Sequence, residues 1–232
     1  QGTLTPIVNN PADALPTLPL LECLKSLAQD PDNTTWIVSG RDQVFLDTFL
    51  GSKIPRLGLS AEHGSFMKTE GEWTDRLKEA DMSWKSSALI VFQKYAERNP
   101  GTVIEQKKSS ITWHYRNALY LEKAERQSQA CFEELENISG VDRLVGKMNV
   151  EVRSALVTKG QVVKRIKEDE CYDFILCAGD DQTDEDMFGT LESESRAFCV
   201  FVGPLTKKTK AKYSVESSKE IVCVLEQLVS VQ

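Results

Sequence analysis

The sequence predicts an α/β fold, with a parallel-sheet core interrupted by an inserted α+β cap. Two observations carry this prediction. Towards both ends of the chain, short apolar runs alternate with segments of helical periodicity, which is typical of a parallel sheet covered by helices. In the middle, strand-like runs follow one another around two helices, which is typical of an α+β unit. We therefore predict a core formed by 1–77 and 156–232, and a cap formed by 78–155.

The first part of the core is predicted from apolar spacing. Leucines at near-helical intervals predict a helix over 16–28. A β-branched and aromatic run predicts a strand at 34–38, and a helix is predicted through 45–50. Another short strand is predicted at 57–61. Strand, helix and strand in this order indicate parallel neighbours in one sheet.

The cap is predicted from a change in this rhythm. A helix is expected at 84–98, followed by two consecutive strands at 102–105 and 110–115. A long helix over 119–138 and a strand at 150–152 complete it. Consecutive strands flanked by helices indicate a small antiparallel layer, not a continuation of the parallel sheet.

The second part of the core returns to alternating elements. Periodicity predicts helices at 159–167, 184–193 and 218–229. Apolar runs predict strands at 172–177 and 198–202. In open α/β sheets, ligands bind at the carboxyl ends of the strands. We therefore expect the functional residues in the loops that follow these strands.

The amino-acid composition limits the kinds of molecule that this protein is expected to bind. The formal net charge of −7 argues against a nucleic-acid surface, although it allows a local basic pocket. We find no apolar run long enough to span a bilayer and no signal peptide, so no membrane partner is expected. The cysteines are scattered without a Cys-x-x-Cys pair, which indicates free thiols in a reducing compartment. We predict a cytoplasmic protein.

The most charged segment follows the predicted strand at 172–177. Asp180, Asp181 and Asp184 lie in an acidic block at 179–186. Carboxylates at the end of a buried strand are costly unless a cation neutralises them. Mg²⁺, held by one or two carboxylates with waters and phosphate oxygens, suits this pattern. The block predicts a Mg²⁺-dependent phosphate enzyme.

Two further residues stand where a phosphate could bind. Ser39 follows a predicted strand, where its hydroxyl could donate to a phosphate oxygen beside backbone N–H groups. Lys159 begins a predicted helix, where a cation opposes the helix dipole and needs an anion nearby. Taken alone, Ser39 is better explained as a helix N-cap and Lys159 as a solvated surface lysine.

Together these motifs resemble those of the haloacid-dehalogenase superfamily. Gly2-Thr3-Leu4-Thr5 resembles the end of its Asp-x-Asp-Gly-Thr-Leu-Thr signature, and Ser39, Lys159 and the block at 179–185 stand at its later motifs in the proper order. The chain also resembles, almost end to end, the trehalose-6-phosphate phosphatase family, especially the phosphatase domain of the fungal enzymes. The runs that carry this resemblance are 5–8, 38–42, 59–64, 112–116 and 202–209.

The resemblance implies a Rossmannoid core with a C2B-type cap, and hydrolysis of trehalose 6-phosphate through an aspartyl-phosphate. It implies that Asp180 holds Mg²⁺, with Asp181 and Asp184 as further ligands or as residues that orient the ligands. Ser39 and Lys159 would neutralise the phosphoryl oxygens during transfer.

The resemblance also implies which residues contact the substrate. Three residues would line the floor between phosphate and sugar, namely Arg41, Glu62 and His63. The trehalose hydroxyls would be contacted from the cap by Glu105, Lys107, Arg116, Lys147, Asn149 and Glu151. Spacing at 105 and 107, and at 147, 149 and 151, predicts that these charged residues share one face of a sheet. The alternative for them is a solvated outer face of an antiparallel sheet.

The beginning of the chain departs from the family pattern. The nucleophilic aspartate would stand two residues before Gln1, and the acid/base aspartate would stand where Gln1 is. Glutamine cannot give up and recover a proton near neutral pH. The apolar strand that precedes the motif in the family would also come before Gln1. We expect that the sequence begins partway through the natural protein or is altered there, and that the chain taken literally is inactive.

Other functions are compatible with the same motifs. A related sugar-phosphate phosphatase, for example one acting on sucrose phosphate, would share the core motifs and differ in the cap. A phosphatase-like domain without activity, regulating a trehalose synthase complex, would be compatible with Gln1. Association with a synthase-like domain is a further expectation from the fungal resemblance.

Overall fold

The computed structural model describes residues 2–8, 13–78, 81–169, 171–204 and 208–231, and Gln1 lies outside them. The chain divides into two compact units. One consists of the described residues of 1–75 and 158–232, the other of those of 76–157. We call them the core unit and the inserted unit. No helix in the described ranges combines the length and the apolar character that crossing a membrane requires.

The first part of the core unit follows the predicted order. It contains α1 (Leu18–Gln29), β1 (Trp36–Val38), α2 (Gln43–Leu46) and β2 (Gly58–Ala61). After α2 the chain continues as a π-helix over Asp47–Gly51. β1 and β2 are parallel, as predicted, and they end at the same edge of the sheet.

An antiparallel hairpin, β3 (Phe66–Thr69) and β4 (Glu72–Asp75), extends this sheet and was not predicted. Its residues are largely polar, and β4 is exposed or half-buried throughout, so it lacks the apolar alternation that marks a strand. Asp47 connects it to the π-helix, since its carboxylate accepts from Lys68 Nζ at 2.5 Å and Trp73 Nε1 at 2.6 Å.

The second part of the core unit forms a parallel sheet. Its strands are β9 (Ile175–Gly179), β10 (Ala197–Val202) and the unpredicted β11 (Tyr213–Val215), in the order β11-β10-β9. Its helices are α5 (Lys159–Asp169), α6 (Glu185–Leu191) and α7 (Ser218–Val231). Over the described residues the core unit has two sheets, because β1 pairs only with β2 and β9 only with β10.

Helices cover both faces of the second sheet. On one face, Phe188 of α6 packs against Cys177, Cys199 and Phe201. On the other, Ile221 of α7 packs against alternate β10 residues, Val200 and Val202. Burial on both faces is what a parallel sheet requires, and it fixes the carboxyl end of β9 in place.

The inserted unit is an antiparallel sheet with two helices. Its strands have the order β5-β6-β8-β7. The elements are α3 (Trp84–Arg98), β5 (Val103–Gln106), β6 (Ser110–His114), α4 (Leu121–Glu134), β7 (Val141–Gly146) and β8 (Asn149–Ser154). β7 was not predicted, and α4 ends at Glu134, four residues before the predicted end, because a 3-10 turn (Leu135–Asn137) follows.

One face of this sheet is apolar and the other polar. Ile111 and Trp113 of β6 pack with Val150 and Val152 of β8 in the hydrophobic core of the inserted unit, together with Phe92 of α3. Side chains alternate along a strand, so the intervening residues of β6 and β8 lie on the opposite face. We call that opposite side the polar face.

The strand spacing predicted for Lys147 was wrong, whereas Lys107 lies beside Glu105. Lys147 lies in the turn between β7 and β8, where Met148 has a φ of 61°. Lys107 follows the end of β5, but its Nζ lies 3.9 Å from Glu105 Oε1, in agreement with the predicted shared face. The prediction for Lys147 failed because the turn was read as a continuation of β8.

Two glycines of the inserted unit allow a backbone test. Gly101 has a φ of +90°, and a Cβ there would lie 2.3 Å from the carbonyl oxygen of Asn117. Gly101→Ala is expected to lower the free energy of unfolding by about 2–3 kcal/mol, because it adds a backbone clash to an unfavourable φ. Gly140→Ala is the control, since Gly140 has a φ of +74° with nothing within 4 Å of the added carbon. The free energies of unfolding are measured in urea, and equal losses in the two variants would contradict a clash at position 101.

Candidate active site

The loop after β1 places two of the predicted residues. Ser39 follows β1, and its backbone N–H donates to the carbonyl of Ser60 at 2.9 Å. The backbone N–H of Arg41 donates to Ser39 Oγ at 3.1 Å. This contact uses a lone pair of the hydroxyl and not its hydrogen, so Ser39 can still donate to a phosphate oxygen. The Arg41 guanidinium lies 4.2 Å from the centre of the Phe45 ring.

Glu62 and His63 lie in a 3-10 turn directly after β2 and are joined to the same loop. The backbone N–H of Glu62 donates to Arg41 O and that of His63 to Ser39 O, each at 2.9 Å. Both residues have positive φ values, 46° and 59°, and Glu62 is buried. A left-handed conformation at a residue other than glycine costs about 1–3 kcal/mol and is concentrated at functional sites.

Lys159 is the first residue of α5, and its side chain is buried. Its Nζ lies 2.7 Å from Asp184 Oδ1. Burial alone would lower the pKa of Lys159, but the carboxylates of Asp184 and Asp181 raise it above the ordinary value. The side chain therefore stays cationic. The alternative of a solvated surface lysine is wrong.

Asp184 organises the loop after β9. While Oδ1 binds Lys159, Oδ2 accepts the backbone N–H groups of Asp180 at 2.8 Å and Asp181 at 3.1 Å. Asp184 is 3% exposed, so these contacts account for its burial. This arrangement matches an orienting residue, one of the two roles that the resemblance left open for it.

Asp181 and Asp180 differ in their surroundings. Asp181 Oδ1 accepts from the N–H of Thr183 at 2.8 Å and from its hydroxyl at 2.6 Å. Burial would raise the pKa of Asp181, but Lys159 and Thr183 hold it below the ordinary value. Asp180 accepts from the Thr3 hydroxyl at 2.5 Å, yet burial raises its pKa to about 6. Asp180 also lines an open cavity of about 390 Å³ beside Gly203.

These carboxylates fit the predicted Mg²⁺. A carboxylate that burial makes costly to ionise is stabilised by a nearby cation, and Asp180 is such a group. In the described part of the chain, His, Cys, Asp and Glu side chains form no group of three or more able to hold a metal ion. Mg²⁺ does not need such a group, because one or two carboxylates with waters and substrate oxygens suffice.

The inserted unit brings several of its predicted residues onto the polar face. Glu105 of β5 is opposite Thr112 of β6, which is opposite Glu151 of β8. Asn149 lies one row away, opposite His114. Arg116 and Lys147 are exposed in the segments just beyond β6 and β7.

Glu151 is the most constrained of these residues. Its Oε1 atom is buried, and no described residue makes a hydrogen bond to it. Burial raises the pKa of Glu151 above the ordinary value, even though Lys107 and Arg153 act in the opposite direction. A buried carboxylate oxygen without a protein donor suits a ligand hydroxyl, which can supply one.

Sequence reasoning missed the residues that hold the functional groups. Thr3 and Thr183 donate to Asp180 and Asp181, and His114 lies 2.8 Å from Glu105. Both threonines stand inside the quoted motifs, so their position was a usable signal. His114 stands inside the quoted run 112–116, but its partner Glu105 lies on another strand, so the sequence did not indicate the contact.

Comparisons with known proteins decide the family. A family model described as Trehalose-phosphatase matches residues 1–219. The chain belongs to the trehalose-phosphatase family. It is 40% identical over 270 residues to the trehalose-phosphatase of Zygosaccharomyces rouxii, covering 99% of this chain and 30% of that protein. It is 41% identical over 232 residues to the bifunctional trehalose-6-phosphate synthase/phosphatase of Thermoproteus tenax, covering 98% of this chain and 31% of that protein.

A solved structure confirms the fold. The C-terminal domain of Candida albicans trehalose-6-phosphate phosphatase matches with a TM-score of 0.87 and 39% identity, covering 99% of this chain and 89% of that one. The predicted α/β fold and the predicted family are therefore confirmed. The roles of individual residues in this trehalose-phosphatase family member stay predictions.

Proposed function

We propose that this chain is the phosphatase domain of a cytoplasmic, Mg²⁺-dependent trehalose-6-phosphate phosphatase, which releases trehalose and inorganic phosphate. The observation that carries the proposal is the buried Lys159–Asp184 pair, 2.7 Å apart, in contact with the loop of Asp180 and Asp181 at the carboxyl end of β9. Burying an ammonium and carboxylates costs desolvation free energy, and such groups are concentrated at functional sites. Binding and transfer of a phosphate would explain why they are placed here. Membership of the family supports the substrate.

The phosphate end of the reaction would be handled by the core unit. Ser39 would donate its hydroxyl to a phosphoryl oxygen, and Lys159 would offset the negative charge of the same group. Because Asp184 holds the Lys159 ammonium at one position, little reorganisation would be needed as charge shifts in the transition state. Arg41, Glu62 and His63, joined to Ser39 by backbone hydrogen bonds, would shape the neighbouring floor.

Asp180, with Asp181, would hold the magnesium ion. When bound, the ion would withdraw charge from the phosphate oxygens and orient the phosphate for attack. Asp184 would keep the two carboxylates in place through their backbone N–H groups. Thr3 and Thr183 would restrict the same carboxylates to one orientation.

Covalent catalysis would need two aspartates that the described residues do not include. In the family pattern one attacks phosphorus, and the other protonates the departing sugar oxygen and then activates water. In that pattern the first would stand two residues before Gln1, and the position of the second is held by Gln1, which lies outside the described residues. The chain spans 30% of the length of the Z. rouxii relative, so the activity of the whole protein is part of the proposal.

The polar face of the inserted unit would carry the sugar specificity. Sugar hydroxyls both donate and accept, so they suit a surface where carboxylates, amines and an amide stand close together. Glu105, Asn149 and Glu151 lie on that face, and Glu151 offers a buried oxygen for a hydroxyl to reach. Lys107, Arg116 and Lys147 would contribute donors from the adjoining turns.

The test is phosphate release by a protein that carries Gln1→Asp and the family's preceding strand with its nucleophilic aspartate. We expect Mg²⁺-dependent release from trehalose 6-phosphate, lost on chelation with EDTA. No release in Mg²⁺ would contradict the proposal. Faster release from sucrose 6-phosphate would favour the related phosphatase instead. Tight binding of trehalose 6-phosphate without turnover would favour a regulatory domain.

Association with a synthase is a second part of the proposal. The T. tenax relative is described as a bifunctional trehalose-6-phosphate synthase/phosphatase, and this chain matches 31% of it. We propose that this phosphatase domain also works beside a synthase-like domain or within a trehalose synthase complex. Proximity would then deliver the phosphorylated sugar directly to the phosphatase.

A further inference from the structure

We propose that His114 and Lys85 are positioning residues that hold Glu105 and Lys107 in one geometry on the polar face, ready for the sugar hydroxyls. The inference rests on the proposed function, since it names what orients two of its sugar-contacting groups. It concerns residues to which neither the motifs nor the family resemblance gave a role.

His114 holds the Glu105 carboxylate from the neighbouring strand. In the register of β5 and β6, Val103 is opposite His114 and Glu105 is opposite Thr112, so His114 and Glu105 are diagonal neighbours on one face. His114 Nε2 lies 2.8 Å from Glu105 Oε2. The other oxygen, Oε1, lies 3.9 Å from Lys107 Nζ. Each carboxylate oxygen is thus turned towards a defined neighbour.

The contact works in both protonation states of the imidazole. A neutral ring with its hydrogen on Nε2 donates to Glu105, and so does the imidazolium. The hydrogen bond from His114 is also the main reason why the pKa of Glu105 lies below its ordinary value. The charged groups that act on Glu105 are His114 and Lys107, and Glu105 in turn acts on Glu151. Glu105 therefore stays an ionised acceptor with a fixed orientation.

Lys85 holds the turn that carries Lys107. Its Nζ donates to the backbone carbonyls of Lys107 at 2.5 Å and Lys108 at 3.1 Å. The N–H of Lys107 donates to Ser110 O at 2.9 Å, which closes the turn between β5 and β6. Lys107 lies just beyond the last paired residues of β5 and β6. The Lys85 ammonium on α3, bound to two carbonyls of the turn, therefore adds a second restraint on the backbone that carries the Lys107 side chain.

The location of these contacts argues for a role in recognition. The row of Glu105 continues through Thr112 to Glu151 on the polar face. Comparable contacts exist on the helical side of the unit. Lys123 Nζ donates to Arg98 O at 2.8 Å, and Gln129 donates to Glu133 at 3.0 Å. The first contact joins α4 to α3 and the second lies within α4, and both serve as matched controls.

The test is calorimetric binding to the chain as it stands, with trehalose 6-phosphate and inorganic phosphate as probes. His114→Ala and Lys85→Met are each expected to weaken trehalose 6-phosphate binding about tenfold, the loss typical of one oriented polar group, and to leave phosphate binding unchanged. His114→Gln, which keeps a donor, should recover most of the affinity. Gln129→Ala and Lys123→Met should match the parent.

A spectroscopic measurement separates positioning from general damage. In His114→Ala, the pKa of Glu105, followed by its carboxyl ¹³C shift, should rise towards the ordinary value, and His114→Gln should bring it part of the way back. Unchanged affinity in both test variants would overturn the positioning role, and so would an equal loss for inorganic phosphate. If the protein with Gln1→Asp and the preceding strand restored neither bound nor hydrolysed trehalose 6-phosphate, that result would instead contradict the proposed function.

Discussion

Lys159→Met is expected to lower the free energy of unfolding by about 3–5 kcal/mol and to abolish phosphate binding. The side chains of Lys159 and Asp184 are only 7% and 4% exposed, and their charged atoms are 2.7 Å apart. Removing the ammonium leaves a buried carboxylate without its counter-charge, next to two more carboxylates. The same change removes the cation that we expect to meet the phosphate. Urea unfolding and calorimetry with inorganic phosphate measure the two effects.

The matched control lies on the same helix. Arg165 and Asp169 of α5 form an exposed pair with a separation of 3.9 Å, and both side chains are more than half exposed. Arg165→Met should change stability by less than about 0.5 kcal/mol. In the variant Lys159→Met/Asp184→Asn, part of the stability should return, because the uncompensated charge is gone. A Lys159→Met loss no larger than that of Arg165→Met would refute a buried ion pair.

The pH dependence of this stabilisation has a definite sign. The pKa of Lys159 is raised in the folded protein, the carboxylates more than offsetting burial. A raised lysine pKa adds stability that is fully present below the ordinary value of about 10.4 and is lost as the pH rises through the folded value. The contribution should therefore be constant through neutral pH and disappear in alkali.

Glu151→Ala should lower kcat/KM for trehalose 6-phosphate about 10- to 100-fold, and much less for a small aryl phosphate. The reason is the buried Oε1 atom of Glu151, to which no described residue donates. A sugar hydroxyl in that place would lose its acceptor, whereas an aryl phosphate makes no such contact. The assay uses the protein with both aspartates restored. Glu136→Ala is a suitable control, because Glu136 is exposed and pairs with Arg143.

Although Glu151 is expected to support activity, its buried carboxylate is expected to lower the stability of the folded protein at neutral pH. Burial raises the pKa of Glu151, so the folded state holds its proton more tightly than the unfolded chain does. Stability from this group therefore falls as the pH rises above the ordinary glutamate value of about 4.3. Glu151→Gln should be at least as stable as the parent at pH 7 while binding trehalose 6-phosphate more weakly. For Glu151→Ala, equal losses of kcat/KM on trehalose 6-phosphate and on the aryl phosphate would show that Glu151 does not contact the sugar.

The parts of the fold that sequence could predict are those with strong apolar periodicity. Helices α1, α3 and α7 and strands β6 and β10 were placed to within a few residues, because each has an apolar face or run. β3, β4, β7 and β11 were missed. Each contains exposed or half-buried residues and no long apolar run, so its strand structure depends on pairing with neighbouring strands.

For the candidate site, sequence identified residues but not their partners. The acidic block was recognised from local charge, but the division of labour within it was not. Asp184 turns away to Lys159 and the loop backbone, while Asp180 faces the cavity. That division depends on a helix 25 residues away along the chain. His63 was assigned to the floor without any sign of its left-handed backbone, because only the packed loops can impose that conformation.

The inserted unit is a single uninterrupted stretch of the gene product, whereas the core unit is assembled from two. The cap residues proposed to select the sugar are thus encoded in one continuous segment, and the residues proposed to transfer phosphate are encoded in the two segments that flank it. A mutant library confined to 76–157 would sample new sugar preferences while leaving Ser39, Lys159 and Asp180 untouched. The same arrangement allows the inserted segment to be exchanged for another in evolution. The substrate could then change while the phosphate-transfer residues of the core unit stay the same.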